Sequence, residues 1–364
     1  MVAEIPPLAR ATAVNCGANH FNADFSVRSA CWGLNAAAFW RKVATKPNPA
    51  REKKMKTIQI GHTGPQASQV MLGLMRIGDK SDAEIRTLVD AALEAGITMM
   101  DHADIYGRPP VHHCEARFAE AMRLTPTARE AMVIQTKAGI RQGFFDFSEA
   151  HILAAADGSL KALRTDYIDI LLLHRPDALV EPQEVASAFD KLVAAGKVRH
   201  FGVSNQTPGQ IELLKSAVKQ PLICNQMQLS ITHAPMIAQG VAINMEGLAQ
   251  SVDRTLGVLD YSRLKGMTLQ AWSPFQHKFF DGPFVGDRMR CPELNVALDE
   301  IAAAHGITPT GVAVAWITRH PAQIQVVLGT TQASRVRECV AGAGVVLSRE
   351  EWYRLYTAAG YSLP

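Results

Sequence analysis

Between Ser68 and Ala359 the chain repeats one unit: a short apolar run, then residues with apolar positions at helical spacing. The runs are Ser68–Leu74, Ile97–Asp101, Met132–Lys137, Tyr167–His174, Val198–Ser204, Leu222–Gln226, Met267–Trp272 and Ile324–Gly329. The helical stretches are Ser81–Ala95, Cys114–Arg123, Ser148–Leu163, Pro182–Ala195, Pro208–Ala217, part of Met245–Ser262, Pro292–His305, Thr308–His320, Ser334–Gly342 and Glu350–Ala359. Strands that are apolar along their length are buried on both faces, so the pattern predicts a parallel sheet covered by helices. Eight such strands suit a (β/α)8 TIM barrel. An open doubly wound sheet is the alternative, but no GxGxxG follows the first strand, which counts against its Rossmann form.

The first 54 residues do not share the pattern. They hold eight Lys/Arg against three Asp/Glu and the breaker cluster Lys46-Pro47-Asn48-Pro49. Such a basic, acid-poor stretch resembles a transit peptide but lacks the apolar core of a secretory signal. The expectation is an irregular, poorly ordered extension over residues 1–54, with the natural start at Met55, followed by one barrel over residues 55–364. The whole chain carries a net charge of +3, so residues after 54 are slightly acidic. That balance argues against nucleic acid as the main partner. No apolar run approaches the roughly 20 residues of a transmembrane helix, so no membrane partner is expected. Cys16, Cys31, Cys114, Cys224, Cys291 and Cys339 show no CxxC pairing. They read as free thiols in a reducing cytoplasm.

In a barrel of this kind catalytic groups stand at the C-terminal ends of the strands. The second strand ends in Asp101, with Tyr106 five residues on, in MDHADIYG. The third ends in Lys137 (QTKAG), the fourth in His174 (LLLHRPD) and the fifth in Ser204 and Asn205 (FGVSNQ). The sixth carries Asn225 and Gln226 (CNQMQ), the seventh Trp272, Ser273 and Pro274 (AWSPF), the eighth Gly329, Thr330 and Thr331 (VVLGTT). A phenol is a useful proton donor to a carbonyl when a neighbouring cation lowers its pKa of about 10. Lys137 is the cation expected to do so, with Asp101 keeping the ammonium charged.

These motifs together resemble the aldo-keto reductase superfamily. The resemblance runs from Met55 to Pro364. Within the superfamily it is nearest to the bacterial YdhF-like subgroup, through DHADIYG, LLLHRPD, GKVRHFGVSN, AWSP and the tail GYSLP. It implies a catalytic tetrad of Asp101, Tyr106, Lys137 and His174. It also implies a nicotinamide cofactor bound without a Rossmann fold, its carboxamide held by Ser204, Asn205 and Gln226 and its ring stacked on Trp272. Ser273, with Phe275, Gln276 and Lys278, would lie by the pyrophosphate. Gly329, Thr330 and Thr331 precede a helix N-terminus that suits an anion. Arg335 matches the family arginine on the 2′-phosphate of NADP, and Glu338 the acid facing adenine. The cofactor implied is therefore NADP, with NAD the alternative. Two departures are Gly329, where some relatives have lysine, and Cys339, where some have asparagine.

The activity implied is NAD(P)H-dependent reduction of an aldehyde or ketone to an alcohol, with Tyr106 as general acid and a small carbonyl compound as partner. The alternative is a cofactor-binding sensor or regulatory subunit with little turnover. The oligomeric expectation is a monomer or small homo-oligomer. His102, His112, His113 and Cys114 lie close in sequence, yet no carboxylate at ligand spacing joins them and no metal site is expected. His112 and His113 read as solvated loop residues that can line the substrate pocket, as can Ile105 and Arg108.

Overall fold

Eight parallel strands close on themselves in the computed structural model. It describes residues 55–363 apart from Arg108, Lys278 and Phe280. The expectations for residues 1–54, including Cys16 and Cys31, and for Arg108 and Lys278 lie outside the described residues.

A two-stranded antiparallel hairpin, β1 (Thr57–Gln59) with β2 (Gln66–Ser68), comes first. The barrel follows in the order β3 (Val70–Gly73), β4 (Met99–Asp101), β5 (Val133–Ala138), β6 (Ile168–Leu173), β7 (Val198–Ser204), β8 (Leu222–Gln228), β9 (Thr268–Trp272) and β10 (Gln325–Leu328). Closure is the pairing of β10 with β3, Val326 opposite Val70 and Leu328 opposite Leu72. The doubly wound alternative is thereby excluded.

Helices follow each barrel strand: α1 (Asp82–Glu94), α2 (His113–Met122) with α3 (Pro126–Glu130), α4 (Glu149–Leu163), α5 (Pro182–Ala194) and α6 (Pro208–Lys215). The later ones are α7 (Pro235–Val241), α8 (Val258–Lys265), α9 (Pro292–His305), α10 (Pro309–Thr318), α11 (Ala333–Ala343) and α12 (Arg349–Ala358). Their starts are chemically marked. Ser81, Thr207 and Ser348 each cap a helix with a reciprocal Glu or Gln three residues on, and the Ser148 side chain accepts from the His151 N–H. Between strands and helices lies an apolar layer in which Phe189 stacks on Phe201 at 3.8 Å. No single helix among the described residues is long and apolar enough to cross a membrane.

Three features differ from the sequence expectation. The hairpin was not foreseen, because its strands are only three residues long. It covers the N-terminal mouth of the barrel: the Gly61 N–H donates to Thr268 Oγ1 at the start of β9 (2.8 Å), and Ser68 and Thr98 exchange backbone–hydroxyl bonds. A Cβ on Gly61 would stand 2.7 Å from the Ile223 carbonyl oxygen, and its φ of +61° lies in the left-handed region, so only glycine fits. The helix expected within Met245–Ser262 is split into a 3-10 turn at Ala249–Ser251 and α8. Short α3 and α7 begin at prolines that sequence periodicity did not reveal.

Inside the barrel lies a layer of amides. Asp101 pairs in register with Gln135, Gln226 with Gln270, and Gln270 with Gln325. Gln135 and Gln270 exchange bonds of 3.0 Å in both directions. Gln270 also donates to Gln325 (3.0 Å), and Gln226 donates to Gln270 (3.1 Å). All four are buried. Fully satisfied, such a layer is neutral to favourable, whereas losing one member strands its neighbours' polar groups. Gln270→Leu should therefore cost about 1–3 kcal/mol, read as a lowered urea midpoint at unchanged slope. A midpoint equal to wild type would show that the layer carries no stability.

Candidate active site

The C-terminal mouth of the barrel opens on a cleft of about 430 Å³. Asp101, Tyr106, His174, Ser204, Asn205, Gln226, Trp272, Ser273, Gly329, Thr330 and Arg335 all line it, with Ile105, Phe275 and Gln276. Lys137 lies directly behind, fully buried. Glu338 is turned aside and accepts from Thr308 Oγ1 (3.2 Å). Thr331 lines an adjacent surface groove rather than the cleft.

The centre of the site is the Lys137 ammonium. Its Nζ donates to Asp101 Oδ2 (2.7 Å) and Oδ1 (2.8 Å), to the His102 carbonyl (2.7 Å) and to the Tyr106 hydroxyl (3.2 Å). Asp101 Oδ1 also accepts from Gln135 Nε2 (2.6 Å) and Gln226 Nε2 (3.0 Å). The amide layer thus ends on the carboxylate that holds the lysine. Burial works against the ammonium, but the facing Asp101 carboxylate, with help from Tyr106, outweighs it and holds Lys137 above the usual lysine range.

Tyr106 corrects the sequence expectation. Burial pushes its phenol above the usual range, and the pull of Lys137 in the other direction does not overcome it. The Asp101 carboxylate that holds the ammonium adds its own negative charge on the side of burial. The consequence is a phenol held in its protonated form. The His174 ring stands edge-on to Tyr106, centroids 6.0 Å apart.

The neighbouring wall is built from side-chain amides and hydroxyls. Ser204 Oγ donates to the Gln226 carbonyl (2.9 Å) and accepts from Asn205 Nδ2 (2.8 Å). Asn205 Oδ1 accepts from the Trp272 indole N–H (3.1 Å), which fixes the ring at the cleft. Asn205 and Ser273 take left-handed φ values of 59° and 52°. Such backbone is uncommon for serine and is retained where the surroundings impose it, often at functional sites.

Past β10, Gly329 leaves open space where a side chain would stand. Helix α11 starts without a side-chain cap, so its first N–H groups are available to an anion. Arg335 is exposed and has no ion pair among the described residues, whereas Arg337 pairs with Glu94 (3.6 Å) on the outer face. An aromatic wall, amide donors and a free guanidinium beside a helix N-terminus together fit a nicotinamide dinucleotide.

A profile of the aldo/keto reductase family matches residues 69–359. This chain belongs to that family. The oxidoreductase YcsN of Bacillus subtilis (strain 168) is 37% identical over 313 residues, 82% of this chain and 97% of the relative. Oxidoreductase YdhF of Escherichia coli (strain K12) is 36% identical, covering 84% and 99%. A protein of Agrobacterium fabrum named 6-dehydroglucose reductase is 34% identical, covering 81% and 95%. A crystal structure of a thermostable aldo-keto reductase bound to the inhibitor epalrestat aligns with TM-score 0.64 at 26% identity, over 84% of this chain and all of that one. The family consists of oxidoreductases that use a nicotinamide cofactor on small-molecule carbonyls.

Two aldo/keto reductase features here escaped the sequence. The amide layer is hidden because its four glutamines stand on four different strands, so no spacing along the chain joins Gln135, Gln226, Gln270 and Gln325. His112 and His113 are not solvated loop residues. His112 Nδ1 meets buried Glu115 Oε2 at 2.6 Å, and Glu115 accepts from Thr136 Oγ1. His113 Nε2 meets the Gly78 carbonyl at 2.9 Å, and the Cys114 thiol that of Met75. His112 occupies the N-cap position of α2 without a side-chain cap bond, and the first turn brings Glu115 round to it. Burial opposes the Glu115 charge, but the His112 and Thr136 hydrogen bonds and the neighbouring imidazoles together outweigh it and lower its pKa. Among the described residues no group of His, Cys, Asp and Glu is arranged to hold a metal ion.

His102 is buried edge-on to Phe118, and neither ring nitrogen has a hydrogen-bond partner among the described residues. Burial lowers its pKa to about 4. The unfolded chain takes up this proton near pH 6.5 and the folded chain only near 4, so the stability it contributes is present above about pH 6.5 and lost on acidification. In His102→Leu the fall in unfolding free energy between about pH 7 and about pH 4.5 should shrink by on the order of 2 kcal/mol. Parallel pH profiles for the two proteins would rule out a neutral buried His102.

Proposed function

We propose that this chain is an NADPH-dependent reductase of aldehydes or ketones, with Asp101, Tyr106, Lys137 and His174 as its catalytic tetrad. The observation that carries the reading is one ammonium wedged between an acid and a phenol at the cleft. The bound cofactor supplies a hydride to the carbonyl carbon. Tyr106, kept protonated by burial, gives its proton to the carbonyl oxygen. Lys137, 3.2 Å from that hydroxyl, stabilises the phenolate left behind, and Asp101 keeps Lys137 charged. His174 orients the same oxygen.

Ser204, Asn205 and Gln226 hold the carboxamide, and Trp272 stacks on the nicotinamide. Ser273, Gly329 and Thr330 serve the phosphates, with the start of α11. Arg335 clamps the 2′-phosphate, which favours NADP over NAD. Glu338, whose Oε2 is held by Thr308, would meet the adenine through Oε1 from beside the cleft. The four described cysteines are free thiols, which suits a cytoplasmic enzyme. The Agrobacterium fabrum relative is named for a sugar-derived carbonyl, so sugar aldehydes belong in the substrate panel beside simple ones.

Tyr106→Phe tests the acid. It should bind NADPH as wild type does and lose about 10²–10⁴-fold in carbonyl reduction, followed by NADPH absorbance. Near-wild-type turnover would refute the assignment, and tight NADPH binding by the wild type without turnover on any carbonyl would favour a sensor. Arg335→Ala should weaken NADPH binding about tenfold or more while leaving NADH nearly unchanged. An equal effect on both cofactors would remove the arginine from the 2′-phosphate.

A further inference from the structure

Besides Arg335, two guanidiniums line the cleft that the reductase reading does not use, Arg76 and Arg175; Arg76 is exposed and follows β3, beside β10. Arg175 directly follows His174 and lines the same cleft, half-buried. Its guanidinium leans across the mouth to within 5.7 Å of the Trp272 ring centroid. Among the described residues it has neither an ion pair nor a hydrogen bond from its side chain. The acids nearest in sequence or in the cleft are committed elsewhere. Asp177 accepts from the Phe147 N–H (2.8 Å) and the Leu179 N–H (2.9 Å). Asp101 is held by Lys137 and two glutamines.

Position separates Arg175 from the cofactor's phosphates. In the closed strand order β6 and β10 lie on opposite sides of the barrel. Arg335 follows β10; Arg175 follows β6 on the loop that also carries His174. A cofactor whose phosphates lie by Arg335 leaves the β6 side to the substrate. Ile105 and Ile140 flank that side, so it offers one cation in an apolar setting. Burial lowers the pKa of Arg175 from the ordinary guanidinium value, the mark of a charge partly stripped of water without compensation.

We propose that Arg175 makes the site selective for carbonyl compounds carrying a carboxylate or similar anionic group, which it binds while the carbonyl oxygen rests between Tyr106 and His174. This rests on the reductase reading for its substrate class and for the turnover arm of its test, while the binding arm is independent of turnover. The guanidinium fork matches a carboxylate with two parallel hydrogen bonds, which lysine or a neutral amide does not reproduce.

The test compares 4-carboxybenzaldehyde with 4-carbamoylbenzaldehyde, a neutral partner of nearly the same shape, on wild type, Arg175→Gln and Arg175→Lys. The wild type should prefer the carboxylate, and the preference in kcat/KM should fall about ten- to a hundredfold in Arg175→Gln, mainly through KM, with partial retention in Arg175→Lys. A preference ratio in Arg175→Gln within twofold of wild type overturns the proposal. So does a large loss of NADPH affinity in Arg175→Gln, which would reassign the residue to the cofactor. Binding of benzoate to the NADPH-loaded protein, by calorimetry, reads the same contact without turnover. Benzoate should bind wild type at least tenfold more tightly than Arg175→Gln, and equal binding overturns the proposal. If no carbonyl of the panel turns over but benzoate binding still depends on Arg175, the reductase reading falls and the anion site stands.

Discussion

A lysine ammonium in the interior of a protein is tolerable only if its charge is answered, and the site follows from how that is arranged here. Lys137 is answered on one side by both oxygens of Asp101 and by a carbonyl. Asp101 is in turn answered by amide N–H groups that belong to a hydrogen-bonded layer spanning the barrel. Isolated, either ion would carry a desolvation cost of several kcal/mol. Joined through the glutamines, the pair has its geometry fixed from below. With the two Asp101 oxygens sharing one N–H and the carbonyl taking another, the third N–H of the ammonium is left for Tyr106, so one donor of the lysine is already aimed where negative charge would develop on the phenol.

The two mouths of the barrel have different tasks. The N-terminal mouth is closed by the β1–β2 hairpin, whose Ile58 and Ala67 join Ile60, Met71, Met99 and Ile223 in an apolar plug. The C-terminal mouth is left polar and open, with strand ends supplying side chains and the loops beyond supplying walls. A barrel plugged at one end can keep polar groups at the other without a water path through its axis. The amide layer marks the boundary between the apolar plug and the reactive end.

Much of this architecture is legible in the sequence alone. Continuous apolar runs bounded by capping residues located all eight barrel strands to within a few residues, because a doubly buried strand leaves an unmistakable pattern. Strand ends then pointed to the cleft residues, since direction in a parallel barrel fixes which end is functional. What stayed hidden depends on three-dimensional satisfaction rather than on period. A three-residue strand such as Thr57–Gln59 is too short to show alternation. A glutamine within an apolar run looks like an interruption until its partners on neighbouring strands are known. His112 looked solvated because the contact that buries it comes from Glu115 one helical turn on. The net direction of the Tyr106 shift is hidden for a related reason: sequence names the cation that lowers the phenol's pKa but not the depth of burial that outweighs it.

Trp316 on α10 and Trp352 on α12 stack at 4.8 Å, nearly parallel, and each indole N–H donates to the other residue's carbonyl (3.1 and 2.9 Å). Trp272 stands apart, half-buried at the cleft. The chain therefore carries two optically distinct kinds of indole among its described residues. The stacked pair, rigid and dry, forms a coupled chromophore whose near-ultraviolet dichroism reports whether the last helix is seated against the barrel. The solitary one answers by fluorescence to whatever enters the mouth. Among the described residues, docking of the terminal helix and occupancy of the cleft thus have separate built-in optical reporters.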